Sequence, residues 1–143
     1  MMTSSKPMSD PLPSIFGIGL DLVDIPRLAK SIEQGGQAFL DRIFTPHEQE
    51  YCSNHSRPNE HYAARWAAKE AAMKVLGTGW SGGVAFTDFE VINDSDGRPH
   101  LEVTGVAAER SREQDIIEWQ LSLSHTGSTA GAVAQAISVR PGA

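Results

Sequence analysis

The feature that most constrains this chain is an alanine-rich segment from Asn59 to Leu76, which carries six alanines and is followed by Gly77. Alanine has the highest helix propensity and glycine commonly ends helices, so the segment is predicted to be a helix that ends at Leu76. Its small side chains lie on most faces, whereas a surface helix carries one apolar stripe. We therefore expect a central helix on which neighbouring elements pack closely.

Short apolar runs before and after this helix predict strands. Residues 15–20 form a run with two glycines, which is typical of a buried strand whose backbone approaches another element, and Asp21 follows it. Other expected strands are residues 84–91 with a bulge, a hairpin return from 101, 119–123 and 130–139. Other expected helices are 26–34 before Gly35 and Gly36, 39–43, a capping-box helix from Thr45, and 104–113. Early helices and late strands indicate an α+β fold.

Length and charge limit the classes of protein to which this chain can belong. The 143 residues suit one domain, and we expect a single domain over residues 15–143 after a disordered tail over 1–14 that lacks the apolar region of a secretory signal. The formal net charge of −6 disfavours nucleic-acid binding. There is no apolar run of about 18 residues for a membrane span. The single Cys52 fits a reducing compartment, so a cytoplasmic location is expected.

Two acidic residues are candidates for chemistry. Asp21 ends the glycine-containing strand, and Glu70 interrupts the alanine-rich helix near Trp66 and Met73. A carboxylate among apolar neighbours is costly unless it is paired, protonated or bound to a metal. Glu70 could form an ion pair with Lys74 one turn later, or it could bind Mg²⁺ together with Asp21. Spacing alone leaves both interpretations open.

Basic residues and histidines give weaker signals. Arg65, Lys69 and Lys74 share the helix with Glu70, either as a solvated face or as cations that neutralise a diphosphate beside a metal. The spacing of His47, Cys52, His55 and His61 matches no common zinc site. His125 stands where an alternating strand meets a turn, a place where a lone histidine is more often structural.

Several segments together carry a family resemblance. They are Gly17–Ile25, Arg65–Ala71, Lys74, Gly77–Gly79, Asp88–Val91, Gly97–Pro99 and Ser122–Thr126. In this order and spacing the chain closely resembles the bacterial holo-[acyl-carrier-protein] synthases, which are small phosphopantetheinyl transferases. The resemblance covers nearly everything from Ile15 to Ile137. It implies a phosphopantetheinyl transferase fold with a small antiparallel sheet wrapped around the central helix.

The resemblance also implies a reaction and a set of site residues. The family transfers 4′-phosphopantetheine from coenzyme A to a serine of acyl carrier protein and releases adenosine 3′,5′-bisphosphate. By similarity, Asp21 and Glu70 bind Mg²⁺, and Lys74 completes the catalytic set by neutralising charge on the diphosphate. The residues implied in coenzyme A binding are Arg57, Arg65, Gly77, Thr78, Gly79, His125 and Thr126.

The family further implies partners. Its members are homotrimers with sites between subunits, and they meet the acidic carrier protein through arginines, here Arg27 and Arg42. Two alternatives remain at this point: a non-catalytic relative that binds coenzyme A or a carrier protein, and a Mg²⁺-dependent hydrolase of coenzyme A or of a nucleotide diphosphate. The four residues Asp21, Glu70, Lys74 and His125 argue against a binding module, which has no need of all of them.

Overall fold

The computed structural model describes residues 12–77 and 81–140. Its strands are β1 (Leu12–Asp24), β2 (Phe89–Asn93), β3 (Pro99–Val103), β4 (Ile116–His125) and β5 (Thr129–Arg140). Its helices are α1 (Ile25–Ile43), α2 (Pro46–Ser53), α3 (Pro58–Leu76) and α4 (Gly105–Glu113). Within the described ranges, no helix is both long enough and apolar enough to cross a membrane. Thr78, Gly79 and residues 1–11 of the expected tail lie outside the described residues.

Two antiparallel sheets surround the central helix. β5 lies between β1 and β4 in a three-stranded sheet, and β2 pairs with β3 in a hairpin. Alternate residues of β5 are small and buried against α3; they are Ala130, Ala132, Ala134 and Ala136. All six alanines of α3 are buried as well. Alanine against alanine lets the helix axis lie close to the sheet, which confirms the predicted central helix and the α+β class.

The boundaries of α3 follow the expected signals. Pro58 lies in its first turn, where a missing N–H costs no helical hydrogen bond. Gly77 ends it with a φ of 75°, and its N–H donates to the carbonyl of Met73 at 2.9 Å. The left-handed conformation at Gly77 is open to glycine at little cost, so this glycine has a structural role in ending the helix.

Three boundaries differ from the expectations. β1 begins at Leu12, so the last three residues of the expected tail pair with β5; Pro13 is tolerated there because β1 is an edge strand. β1 also continues beyond Asp21 to Asp24, which places Asp21 within a strand and not at its end. The strand expected over 84–91 begins only at Phe89 and pairs with β3 without the expected bulge. Residues 86–88 form a 3₁₀ turn, because the Asp88 carboxylate accepts the N–H of Ala85 and turns the chain.

The structure confirms the predicted break in α1 and the predicted start of α2. α1 is interrupted at Gly36, whose φ of 60° and ψ of −148° separate the two predicted helical stretches. At the start of α2 the Thr45 hydroxyl accepts the N–H of Glu48, and the Glu48 carboxylate accepts the N–H of Thr45 at 2.9 Å. This is the predicted capping box.

Gly19 is the position where β1 approaches α3 most tightly. A Cβ built on Gly19 would lie 2.2 Å from the carbonyl oxygen of Ala71, whereas one on Gly17 would make an ordinary 3.4 Å contact with Val75. The predicted close approach of the backbone is therefore confirmed. We expect Gly19→Ala to lower the free energy of unfolding by about 3 kcal/mol or more, and Gly17→Ala by less than about 1 kcal/mol. Urea denaturation of both variants measures the difference, and equal losses would contradict the packing described here.

Candidate functional site

The first part of the site is a pair of carboxyl groups on two rigid elements. Asp21 in β1 pairs with Ala132 of β5, the central strand of the sheet, and its side chain is hydrogen-bonded to that of Glu70 on α3. Burial raises the pKa of Glu70 to about 7, and the neighbouring Asp21 carboxylate adds to the rise. Glu70 therefore binds a proton more readily than an ordinary carboxyl, and a cation beside the pair would displace that proton.

Lys74 lies one turn after Glu70 on α3 and contacts the Asp21 member of this pair. Its ammonium donates to Asp21 Oδ1 and to the carbonyl oxygen of Leu20, both at 2.9 Å. The sequence left open an ion pair between Lys74 and Glu70, but among the described residues the salt bridge of Lys74 is to Asp21. Lys74 is 57% exposed, so its ammonium can still reach a ligand outside the fold.

The donor set fits a hard divalent cation. Mg²⁺ prefers oxygen ligands and binds through one or two carboxylates while phosphates and water complete its shell. Within residues 12–77 and 81–140 there is no group of three or more potential metal-ligating side chains, so the protein side of such a site would be limited to the Asp21–Glu70 pair. Burial and the neighbouring Asp21 raise the pKa of Glu70, whereas Lys74 opposes the rise.

A pocket of about 440 Å³ opens beside Glu70. Arg27 and Leu28 of α1 line it from one side, and Trp66 and Glu70 of α3 line it from the other. Arg27 is exposed, so its guanidinium is available to a partner at the mouth of the pocket. Arg42 lies in the last turn of α1, after the Gly36 interruption, and is not part of this pocket. The structure therefore places Arg27, and not Arg42, in the pocket that Glu70 lines.

A second pocket of about 450 Å³ lies farther toward the N-terminus of α3. Its lining includes Tyr51, His61, Arg65, Asn93, Arg98 and His125. The Arg65 guanidinium donates to Asn93 Oδ1 at 2.6 Å and stacks 4.0 Å above the ring of Tyr51. Arg65 is thus fixed in place, and together with Arg98 it gives this pocket a positive lining.

The other described residues expected to bind coenzyme A do not line the second pocket. Arg57 is 78% exposed, lies 3.6 Å from Glu60 and does not line the second pocket. The Thr126 hydroxyl accepts the N–H groups of Ser128 and Thr129, so it shapes the turn next to His125. Gly77 caps α3, and Thr78 and Gly79 lie outside the described residues.

Comparisons with known proteins decide the family. The profile of the 4′-phosphopantetheinyl transferase superfamily matches residues 17–136. The chain is 43% identical over 127 residues to the holo-[acyl-carrier-protein] synthase of Geobacter sulfurreducens, covering 89% of this chain and 99% of that protein. The chain belongs to the holo-[acyl-carrier-protein] synthase family. The resemblance inferred from its motifs is confirmed, and so is its class as a phosphopantetheinyl transferase enzyme.

Solved structures of holo-[acyl-carrier-protein] synthases share the fold. The Neisseria meningitidis synthase superposes with a TM-score of 0.79 at 35% identity, over 86% of this chain and 98% of that one. The Helicobacter pylori synthase, solved in complex with coenzyme A, gives a TM-score of 0.73 at 27% identity, over 86% and 99% of the two chains. The expected transferase fold is therefore confirmed.

In this member of the synthase family, the sequence did not predict a buried ion pair between Lys69, next to Glu70 on α3, and Glu48 on α2. Lys69 was a candidate cation for a diphosphate, but it is fully buried and its ammonium donates to Glu48 Oε1 at 2.7 Å. It also donates to the carbonyl oxygen of Phe89, and the other Glu48 oxygen accepts the N–H of Val91 at 2.8 Å. Burial lowers the pKa of Lys69. The pair joins α2, α3 and β2 and is not available to a ligand.

Removing the negative partner leaves Lys69 buried without its counter-charge. We expect Glu48→Gln to lower the free energy of unfolding by about 3–5 kcal/mol, because an unpaired buried charge is strongly destabilising. Glu50→Gln, at an exposed position of the same helix, is the matched control and should change it by less than about 0.5 kcal/mol. Urea denaturation checks both, and a Glu48→Gln protein as stable as the control would contradict the described role.

Proposed function

We propose that this enzyme transfers 4′-phosphopantetheine from coenzyme A to a serine hydroxyl of acyl carrier protein in a Mg²⁺-dependent reaction. The serine hydroxyl loses its proton to water and its oxygen forms a bond to the phosphorus that carries pantetheine. The bond from that phosphorus to the bridging oxygen breaks, and the oxygen leaves as part of adenosine 3′,5′-bisphosphate. The observation that carries the proposal is the Asp21–Glu70 carboxyl pair with Lys74 bonded to Asp21. This arrangement suits phosphoryl-type transfer, in which positioning and charge neutralisation supply most of the catalysis.

The residues of the pair have separate tasks in this proposal. Asp21 and Glu70 would hold Mg²⁺, which supplies neutralisation of diphosphate charge when it is bound. Lys74 exchanges its bond to Asp21 for one to a diphosphate oxygen, since its side chain is more than half exposed. In that position it stabilises negative charge on the leaving side. Rigid elements carry all three groups, so little reorganisation is needed when the substrate binds.

We assign the nucleotide of coenzyme A to the second pocket. Arg65 and His125 line it with a positive charge and an imidazole. By family resemblance, Arg57, Gly77, Thr78, Gly79 and Thr126 would also contact coenzyme A. Arg65 and Glu70 are five residues apart on α3, or about 7.5 Å along the helix axis. The two residues are also about 140° apart around the helix, so in one chain they face different sides of α3. In the trimer proposed below, a coenzyme A whose nucleotide contacts Arg65 of one subunit would place its diphosphate near Glu70 of a neighbouring subunit. The related Helicobacter pylori synthase has been solved with coenzyme A bound.

We place the carrier protein at the first pocket. Arg27 lines that pocket together with Glu70, so a partner that contacts Arg27 delivers its serine next to the acid pair. Leu28 is buried, so the apolar surface for a docking helix would come from the half-buried rings of Trp66, which lines the pocket, and Phe39, with centroids 5.4 Å apart. Arg42 extends the basic surface along α1. The carrier proteins served by this family are acidic, which complements these arginines.

We also propose that the protein is a homotrimer with its sites between subunits. We propose a cytoplasmic location for it. The face of β1 turned away from α3 exposes three large apolar side chains, Ile18, Leu20 and Leu22, each more than half accessible. An exposed apolar row on an edge strand favours association, and a neighbouring copy would cover it. Leu20 precedes Asp21, so such a neighbour would lie next to the acid pair.

The proposal is tested by mass spectrometry of apo acyl carrier protein incubated with this enzyme, coenzyme A and Mg²⁺. A mass gain of one phosphopantetheine on the carrier protein, with adenosine 3′,5′-bisphosphate in solution, supports the transfer. Binding of coenzyme A with no change in mass indicates a non-catalytic relative. Loss of coenzyme A without modification of the carrier protein indicates a hydrolase.

A further inference from the structure

A ladder of aromatic rings lies beside the second pocket: Tyr51 and three imidazoles, of which the proposed transfer uses only His125. Its rings contact one another in sequence from α2 to β4. The centroids of Tyr51 and His55 are 4.5 Å apart, those of His55 and His61 are 4.0 Å apart, and those of His61 and His125 are 6.4 Å apart. Three titratable rings therefore meet where the pocket carries its fixed positive charge.

The ends of this ladder are held by neighbouring groups. The ring of His55 donates from Nδ1 to the carbonyl oxygen of Tyr51 at 2.7 Å. The ring of His125 lies 3.8 Å from the Glu60 carboxylate. His61 lies between these two rings and itself lines the pocket. It is therefore the imidazole best placed to meet a ligand while remaining coupled to the other two.

The charged groups around His61 set its protonation before a ligand binds. His55 faces it from the α2–α3 connection, Arg65 and Glu60 from α3, and His125 from β4. Burial lowers the pKa of His61, and His55, Arg65 and His125 lower it further, whereas Glu60 opposes them more weakly. The ring is accordingly neutral at pH 7 in the unliganded protein. A phosphate dianion in the pocket would reverse this balance.

We propose that His55, His61 and His125 make this pocket a proton-coupled anion site, in which binding of the phosphate-bearing end of coenzyme A adds a proton to the cluster at His61. The inference rests on the proposed function, which assigns the nucleotide to this pocket. Arg65 cannot provide such coupling, because a guanidinium is protonated with or without a ligand. Imidazole is the side chain whose charge changes near neutral pH.

The coupling has a defined sign. Proton uptake on binding means that affinity for coenzyme A falls as the pH rises, by up to about tenfold per pH unit for one proton per site. The phosphate of the ligand also titrates, near pH 6, but it does so equally for every protein variant. A difference between variants therefore isolates the contribution of the protein.

Isothermal titration calorimetry of coenzyme A binding at pH 7, in two buffers of different ionisation enthalpy, counts the protons taken up. We expect the wild type to take up about 0.3–1 proton more than His61→Phe, which keeps an aromatic ring in the ladder. His47→Phe, an exposed position on α2 outside the pocket, is the matched control and should behave as the wild type. Equal proton uptake by wild type and His61→Phe overturns the inference.

A second readout needs no variant. The histidine NMR resonances of the wild type, titrated with pH, should report a higher pKa for His61 when coenzyme A is bound, and an unchanged pKa overturns the inference. The outcome is distinct from that of the transfer assay. Proton-coupled binding without modification of the carrier protein supports this inference and refutes the proposed transfer, whereas transfer with pH-independent binding does the reverse. If coenzyme A does not bind, both fail.

Discussion

Glu70→Gln is expected to lower the turnover of carrier-protein modification by about 10³-fold, or about 4 kcal/mol of transition-state stabilisation. The substitution keeps the shape of the side chain but removes one of the two carboxylates that would hold Mg²⁺ beside the diphosphate. Turnover is measured by mass spectrometry at saturating coenzyme A and carrier protein. Glu33→Gln removes an exposed charge from α1 and should retain full activity.

Glu70→Gln should also make the free energy of unfolding less dependent on pH. The pKa of Glu70 is raised from 4.5 to about 7 by burial and by Asp21, so the folded protein binds an extra proton between these values. Without Mg²⁺, the wild type therefore loses stability as the pH rises from 4.5 through 7, and Glu70→Gln should lose less. Full transferase activity, or an unchanged pH dependence of unfolding, would contradict the role assigned to Glu70.

Arg27→Glu is expected to raise the KM for acyl carrier protein by about 30-fold or more, corresponding to about 2 kcal/mol, while the KM for coenzyme A changes less than about twofold. Arg27 lines the pocket next to Glu70, so a negative charge there repels an acidic partner at the point where its serine must enter. Steady-state kinetics with each substrate varied separately gives both constants.

Arg112→Glu is the matched control for this charge reversal. Arg112 is exposed on α4, outside both pockets, and its reversal changes the net charge by the same amount. We expect its two KM values to stay within about twofold of those of the wild type. An equal loss for carrier protein and coenzyme A in Arg27→Glu would make the docking assignment wrong.

Local signals in the sequence predicted the framework of the fold well. The alanines of α3, the capping box at Thr45 and the stop at Gly77 act through neighbours within a few residues, so their consequences can be read directly. The glycine of β1 predicted a close approach, and Gly19 makes it against Ala71. These features depend on backbone conformation and side-chain size, which a single segment specifies.

Side-chain partners were harder to predict because they lie far apart in the chain. Helical spacing favoured Glu70 as the partner of Lys74, yet Asp21, 53 residues away, takes that place. The sequence allowed Lys69 to be a solvent-exposed cation, but in the structure it is buried against Glu48 of α2. One signal was present: Lys69 has alanines on both sides at 67, 68, 71 and 72, all of them buried in the structure. A cation within such a segment indicates a buried partner.

The central claim is that Asp21 and Glu70 jointly bind one divalent cation at the reaction centre. Electron paramagnetic resonance of free Mn²⁺, which shares the oxygen-ligand preference of Mg²⁺, measures that binding in the presence of coenzyme A. We expect about one Mn²⁺ per chain for the wild type and at least about tenfold weaker binding for both Asp21→Asn and Glu70→Gln. Wild-type Mn²⁺ affinity in either variant would contradict it.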